Sequence, residues 1–248
     1  MSALTVENLT LRFGGLKALD NLSLRVRDGE RLVLFGPNGA GKTTLFNVIT
    51  GLLRHTAGTV KLYDHDLTTL SVRRRIALGM GRTFQITTLF PRMTVLESAM
   101  LAMQAREPSR FTMYRSLMSY KKIRQRSMDL LNDWGLAHKA EIETRRLSYG
   151  EQRQVELVLA LACRPRFLLL DEPAAGLSAV ETAAIETMIG RFSREITVML
   201  IEHDVDMALR IADRVLVLQQ GRVVVEGTPD AIRGDPLVAQ IYFGADGV

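Results

Sequence analysis

Gly36-Pro37-Asn38-Gly39-Ala40-Gly41-Lys42-Thr43 follows the apolar run RLVLF (Arg31–Phe35) and opens TTLFNVITGLL (Thr43–Leu53); its reading decides the fold of this chain. The stretch satisfies G-x-x-x-x-G-K-[ST], and a strand before it and a helical run after it supply the structural context that the letters require. Its glycines let the backbone wrap so that successive N–H groups point inward, and the start of the following helix adds partial positive charge. Gly36 to Thr44 is therefore read as a phosphate-binding loop for a nucleotide. Lys42 is expected to reach the β- and γ-phosphates, and the Thr43 hydroxyl to bind Mg²⁺.

Upstream of the loop, LTVENLTLRF (4–13) and ALDNLSLRV (18–26) alternate apolar and polar residues between Gly-Gly and Asp-Gly turns, as a small antiparallel sheet does. Downstream, TVKLY (59–63), FLLL (167–170), TVMLI (197–201) and RVLVL (214–218) are short apolar runs separated by helical stretches, as expected for strands buried on both faces of a mainly parallel sheet. Between Thr94 and Cys163 only helical periodicity occurs, in VLESAMLAMQ (95–104) and MYRSLMSYKKIRQRSMDLLNDW (113–134). The expected fold is α/β: a P-loop core made of 1–93 and 164–248, with an N-terminal antiparallel β subdomain and a helical subdomain, 94–163, inserted into it. All 248 residues then form one domain.

RPRFLLLDEP (164–173) supplies a second half to the loop. Its four apolar residues form a strand that delivers Asp171 and Glu172 to the sheet edge where ligands bind. Asp171 is expected to orient Mg²⁺, usually through water, and Glu172 to take a proton from an attacking water. Gln85, in GRTFQITTLF, and His203, in TVMLIEHD, each follow a strand-like run and could reach a γ-phosphate, metal or water. LSYGEQRQ (147–154) fits a helix capping box from Ser148 to Glu151, and a helix start of this kind is also an anion site.

Composition narrows the partners. The chain is 47% hydrophobic and 24% charged, as in an ordinary globular protein, and its formal charge of +5 favours partners with negative surfaces, such as nucleotides, nucleic acid or anionic lipid, without choosing among them. A single cysteine, Cys163, excludes an intramolecular disulfide and points to a reducing compartment; its apolar neighbours suggest a buried side chain. MSALTVENLTLRF lacks a basic segment followed by a long apolar run, and nowhere do eighteen apolar residues follow one another, so the expectation is a chain neither secreted nor membrane-spanning. Leu96, Met100, Leu101 and Met103 suit helix core or a partner groove. Arg106, Arg110, Arg115, Lys121, Lys122, Arg124 and Arg126 suit a solvated face or contact with anionic lipid or a membrane subunit. Nucleic acid is not expected, because aromatic residues are not interleaved with these basic ones.

Taken in order, GPNGAGKTT, Gln85, LSYGEQ, LLLDEP and His203 resemble the Walker A, Q-loop, signature, Walker B and switch elements of the ATP-binding subunit of an ABC transporter, over nearly the whole chain. GRTFQITTLFPRMTVLES and VVEGTPDAIRGDPLVAQIYFG are similar to the type that serves high-affinity branched-chain amino acid importers, a pattern shared by importers of amides or urea. The resemblance implies ATP and Mg²⁺ as ligands, with Lys42, Thr43, Gln85, Asp171, Glu172 and His203 converging on them. It also implies adenine stacking by Phe13, which could instead be sheet packing. Ser148 and Gly150 would contact the phosphate of a second cassette, a paralogue rather than a second copy. Two transmembrane permease subunits, and indirectly a substrate-binding protein, complete the assembly, placing this chain in the cytoplasm on the inner face of the membrane. Gln85 would connect the γ-phosphate to the permease-facing TTLFPRMTVLES. Tyr149 and Glu151 depart from the usual signature Gly and Gln, and Ser178 stands where many members carry Asp. The alternative, a soluble ABC ATPase of translation or DNA repair, usually has tandem cassettes or long coiled-coil insertions. A P-loop kinase or GTPase is argued against by LSYGEQ and by the lack of an Asn-Lys-x-Asp signal.

Overall fold

Alternating apolar side chains, interrupted by bulges, build the N-terminal strands, and solid apolar runs build the later ones. The computed structural model describes residues 1–83, 89–105, 107 and 119–243. They divide into two compact units: Met1–Arg82 with Arg166–Glu172 and the chain from Phe192 onward, and Thr83–Pro165 with Pro173–Arg191. The second unit thus takes in Pro173–Arg191 as well as the 94–163 helical stretch.

In the first unit, among the described residues, the strands are β1 (Ser2–Phe13), β2 (Leu16–Arg27), β3 (Arg31–Phe35), β4 (Ala57–Leu62), β5 (His65–Asp66), β6 (Met80–Arg82), β7 (Phe167–Asp171), β8 (Thr197–Ile201), β9 (Arg214–Gln219) and β10 (Arg222–Gly227). One sheet has the order β2-β1-β4-β5 and is antiparallel throughout. Leu4 lies opposite Val26 on one side and Leu62 on the other, so one face of this sheet carries the core.

TVKLY departs from its expected place. It forms β4 in the antiparallel sheet, burying Val60 and Leu62 while Lys61 is exposed; one-sided burial belongs to a sheet with one solvated face. The second sheet has the order β10-β9-β3-β8-β7-β6, parallel from β9 to β6 with β10 antiparallel at its edge. Every residue of β7 and β8 is buried, as strands covered on both faces require. Because β3 and β7 both pair with β8, Leu34 and Asp171 lie level with Ile201, and the C-terminal ends of three strands open on one edge.

Two helices flank these early strands, α1 (Lys42–Thr50) and α2 (Val72–Ala77). Phe46 of α1 is fully buried, whereas the last carbonyls of a helix have no partner within it. Arg75 of α2, 5% exposed, satisfies them: its Nη1 donates to the Val48 and Ile49 carbonyls, both at 2.7 Å, its Nη2 to the Leu67 carbonyl at 2.6 Å and its Nε to the Leu70 carbonyl at 3.0 Å. Burial lowers its pKa from the ordinary arginine value.

The second unit, among the described residues, is helical: α3 (Val95–Gln104), α4 (Lys121–Asp133), α5 (Tyr149–Ala162) and α6 (Ala179–Gly190), with one isolated bridge between Thr94 and Glu143. Leu96, Met100 and Met103 are core, and Leu101 is exposed. On α4, Lys121, Lys122 and Arg124 are exposed and Arg126 pairs with Glu107 at 2.8 Å, whereas Arg106, Arg110 and Arg115 lie outside the described residues. Cys163 is half-buried, its thiol 3.7 Å from the Ala102 carbonyl.

Arg75→Met leaves four carbonyls without their charged donor, and urea denaturation should record a loss of roughly 3–5 kcal/mol in unfolding free energy. Arg75→Lys, lacking the planar fork, should recover less than half of that.

Candidate nucleotide site

The loop after β3 is fixed before any ligand reaches it. Gly36 has φ +146°, and a Cβ there would run into the Leu218 carbonyl oxygen. The Ala40 carbonyl accepts from the Gly221 N–H at 2.9 Å, and the Gly221 carbonyl from the Asp20 N–H at 3.0 Å, so the β9–β10 turn and β2 clamp the loop. The α1 start carries neither a side-chain cap nor an acidic residue in its first turn. Its leading N–H groups therefore face the loop interior without a carboxylate in competition, the condition for holding a phosphate. Lys42 is buried, and its Nζ donates to the Gly36 carbonyl at 2.5 Å and the Pro37 carbonyl at 3.1 Å. Burial lowers its pKa, opposed by the Glu172 and Asp171 carboxylates.

An open cavity of about 690 Å³ is lined by Asn38, Gly39, Ala40, Gly41, Lys42, Thr43 and Thr44, by Glu172 and His203, and by Phe13, Leu16, Lys17, Ala18 and Gln220. The parallel strand ends thus bring loop, Glu172 and His203 together. Phe13, at the end of β1, is 50% exposed and pairs with Leu16 in the sheet. Lys17 and Gln220 also line the cavity, each beside a strand turn, and nothing in the local letters marks them.

Glu172 follows β7 with φ +48°, a left-handed conformation that costs a non-glycine residue about 1 kcal/mol. Its N–H donates to the Ile201 carbonyl at 2.9 Å, and its Oε1 lies 2.7 Å from His203 Nε2. The carboxylate therefore meets the imidazole at the cavity wall. Asp171 is 2% exposed and lies outside the lining. Burial pushes its carboxyl above the usual carboxylate range, opposed by the Arg82 guanidinium, whose Nη2 donates to Oδ2 at 2.8 Å. The other oxygen, Oδ1, is buried without a hydrogen-bond partner among the described residues. An orphaned carboxylate oxygen and a threonine hydroxyl are both oxygen donors of the kind a hard cation takes beside phosphate and water, so the chemistry of Thr43 and Asp171 fits Mg²⁺. Gln85, also read as a ligand, lies outside the described residues.

In the second unit, Ser148 caps α5: its Oγ accepts from the Glu151 N–H at 3.2 Å, and the Ser148 N–H donates to Glu151 Oε2 at 2.8 Å. Lys139 also pairs with Glu151. Gly150 lies against α6, where a Cβ would meet the Glu181 carboxylate. That carboxyl is held below its usual range first by the Ser178 hydroxyl, then by the backbone N–H groups of Ser178 and Gly150. Ser178 itself caps α6. Tyr149 is half-exposed, with the Arg153 guanidinium 5.4 Å from its ring centre.

A nucleotide loop and a carboxylate-ended strand at one sheet edge, with a capped Ser148-Tyr149-Gly150-Glu151 helix start in the helical unit, carry the sequence elements of an ATP-binding cassette. Residues 19–175 match the ABC transporter family model, and the chain belongs to that family, whose cassettes are ATPases powering transport. It is 38% identical over 248 residues, 97% of each chain, to the high-affinity branched-chain amino acid transport ATP-binding protein LivG of Salmonella typhimurium. The fold superimposes on a nucleotide-free ATP-binding cassette from an ABC transporter with TM-score 0.86 and 30% identity, covering 98% of this chain and 99% of that one. It also matches a dimeric post-hydrolysis cassette bound to ADP and Pi, with TM-score 0.76, 28% identity, and coverage of 91% and 98%. These relatives do not favour the translation or repair alternative.

Gly36→Ala forces both a disfavoured φ and a clash with backbone. Fluorescent-nucleotide titration should show at least about a tenfold loss of ATP affinity, the equivalent of a strain of roughly 1.4 kcal/mol or more falling on the loop.

Proposed function

We propose that this chain hydrolyses ATP to power an importer of branched-chain amino acids, or of related amino acids or amides. It would sit on the inner face of the cell membrane against two permease subunits and receive its substrate indirectly from a binding protein. The observation that carries the reading is the meeting of the Lys42 loop, Glu172 and His203 at one cavity, while Ser148 and Gly150 belong to the other unit. Relationship to LivG supports the substrate class, and the dimeric cassette supports a closing partner. A paralogue is the proposed partner. Nucleic acid has no part in it.

On arrival of ATP, Lys42 exchanges the Gly36 and Pro37 carbonyls for phosphate oxygens, and the loop N–H groups donate to the remaining ones. Phe13 offers its half-exposed face to the adenine. Thr43 and Asp171 would hold Mg²⁺, which, when bound, neutralises phosphate charge. Gln85 is the remaining proposed contact to metal and water. Glu172 takes the proton of the attacking water, and His203, 2.7 Å away, holds that carboxylate in place and contacts the γ-phosphate. Ser148 and Gly150 serve the nucleotide of the partner cassette, so closure completes each site. Hydrolysis then releases the pair and moves the permease.

Glu172→Gln should cut turnover at least about a hundredfold and, with Mg-ATP and the partner cassette, trap a dimer on size-exclusion chromatography; turnover near wild type would remove the base assignment. Ser148→Arg should leave ATP binding by the single chain intact while preventing closure, and equal loss of both would count against the trans arrangement.

Affinity purification from detergent-solubilised membranes, read by mass spectrometry, should recover membrane subunits and a second cassette. Recovery of no membrane protein would overturn the transport reading.

A further inference from the structure

Arg82 ends β6, level with Leu169 of β7 and two residues short of Asp171. Its guanidinium touches two other elements of the first unit, β7 and α1. Nη2 donates to Asp171 Oδ2 at 2.8 Å; Nη1 donates to Asn47 Oδ1 at 2.7 Å and to Thr50 Oγ1 at 3.2 Å, both on α1; and the group lies 5.7 Å from the centre of the Phe46 ring. The Arg82 and Asp171 side chains are 7% and 3% exposed.

A buried ion pair contributes little net stability against apolar replacements of similar volume, so stability alone is a weak account of this one. Direction is a better account. A guanidinium is a rigid planar fork, and this one fixes a carboxylate against two polar groups on the helix that begins with Lys42 and Thr43. With Oδ2 so held, the carboxylate cannot rotate freely, and Oδ1 is the oxygen without a partner among the described residues. Groups that grip a metal-facing carboxylate from behind set its aim and commonly change metal affinity by roughly 10–100-fold when removed.

We propose that Arg82 is a positioning residue: it locks Asp171 to α1 through Asn47 and Thr50, so that Oδ1 is presented toward the Mg²⁺ that Thr43 shares. The inference rests on Asp171 facing the metal. It gives Arg82, three positions before Gln85, a role that no local motif signals.

Calorimetric titration of ADP, first in EDTA and then at stepped Mg²⁺ concentrations, tests it without any measurement of turnover. Arg82→Gln should leave the EDTA affinity within about twofold and raise the Mg²⁺ concentration needed for half-maximal enhancement about 10–100-fold. An unchanged or lowered Mg²⁺ requirement would overturn the proposal, since the positive charge would then matter more than the aim. Asp171→Asn separates the two levels: if it leaves the Mg²⁺ requirement untouched, the metal-facing reading itself fails; if it raises the requirement and Arg82→Gln does not, only the positioning role fails. Should Arg82→Gln not fold, Asn47→Ala keeps the ion pair but frees one anchor. It should shift the Mg²⁺ requirement upward by a smaller amount, and no shift would overturn the proposal.

Discussion

Parallel pairing of β3 and β7 with β8 sets Leu34 and Asp171 level with Ile201, and the site depends on this register. A slip of one residue in either pairing would turn buried side chains to the opposite face and withdraw a strand end by about 3.3 Å. The loop that follows β3, the carboxylates at the end of β7 and the histidine beyond β8 have no other reason to meet, because they come from distant parts of the chain. Full burial of β7 and β8 enforces the register: no apolar side chain can turn outward without losing its place in the core.

Around that register the protein places groups that are costly on their own. Lys42 is buried on two carbonyls, Asp171 holds an oxygen without a partner among the described residues, and Glu172 adopts a left-handed backbone. Under the proposed function, phosphate and cation supply partners to Lys42 and Asp171, groups already in place before the nucleotide binds. The helix whose last carbonyls Arg75 holds is the one that begins at the loop after β3. Arg75 at Val48 and Ile49 and Arg82 at Asn47 and Thr50 both hold its C-terminal half in place.

Much of this was legible in letters. G-x-x-x-x-G-K-[ST] between a strand and a helix, and FLLLDE at a strand end, are local patterns whose physics is carried by neighbours in sequence. The capping box at Ser148 was visible for the same reason. TVKLY joins the antiparallel sheet, which its letters do not reveal because a short apolar run does not show which strands will pair with it; its partner β1 lies some fifty residues away. Arg75 and Arg82 carry no local signal, because their partners are carbonyls, polar side chains and a carboxylate brought near only by folding. The left-handed Glu172 carries no signal in residue type, since glutamate is an ordinary occupant of any loop. Phe13 was found through family resemblance alone; its own strand reads equally well as packing.

The carboxylate of Glu181 resting on Gly150 gives the α5 start a sitting tenant from its own chain. A tethered group sits at a high effective concentration, in the millimolar range or above for short flexible linkers, so a dissolved anion must outcompete it continuously. Inorganic phosphate diffusing past is a poor competitor. An anion that takes this helix start must therefore first displace a carboxylate of the same chain.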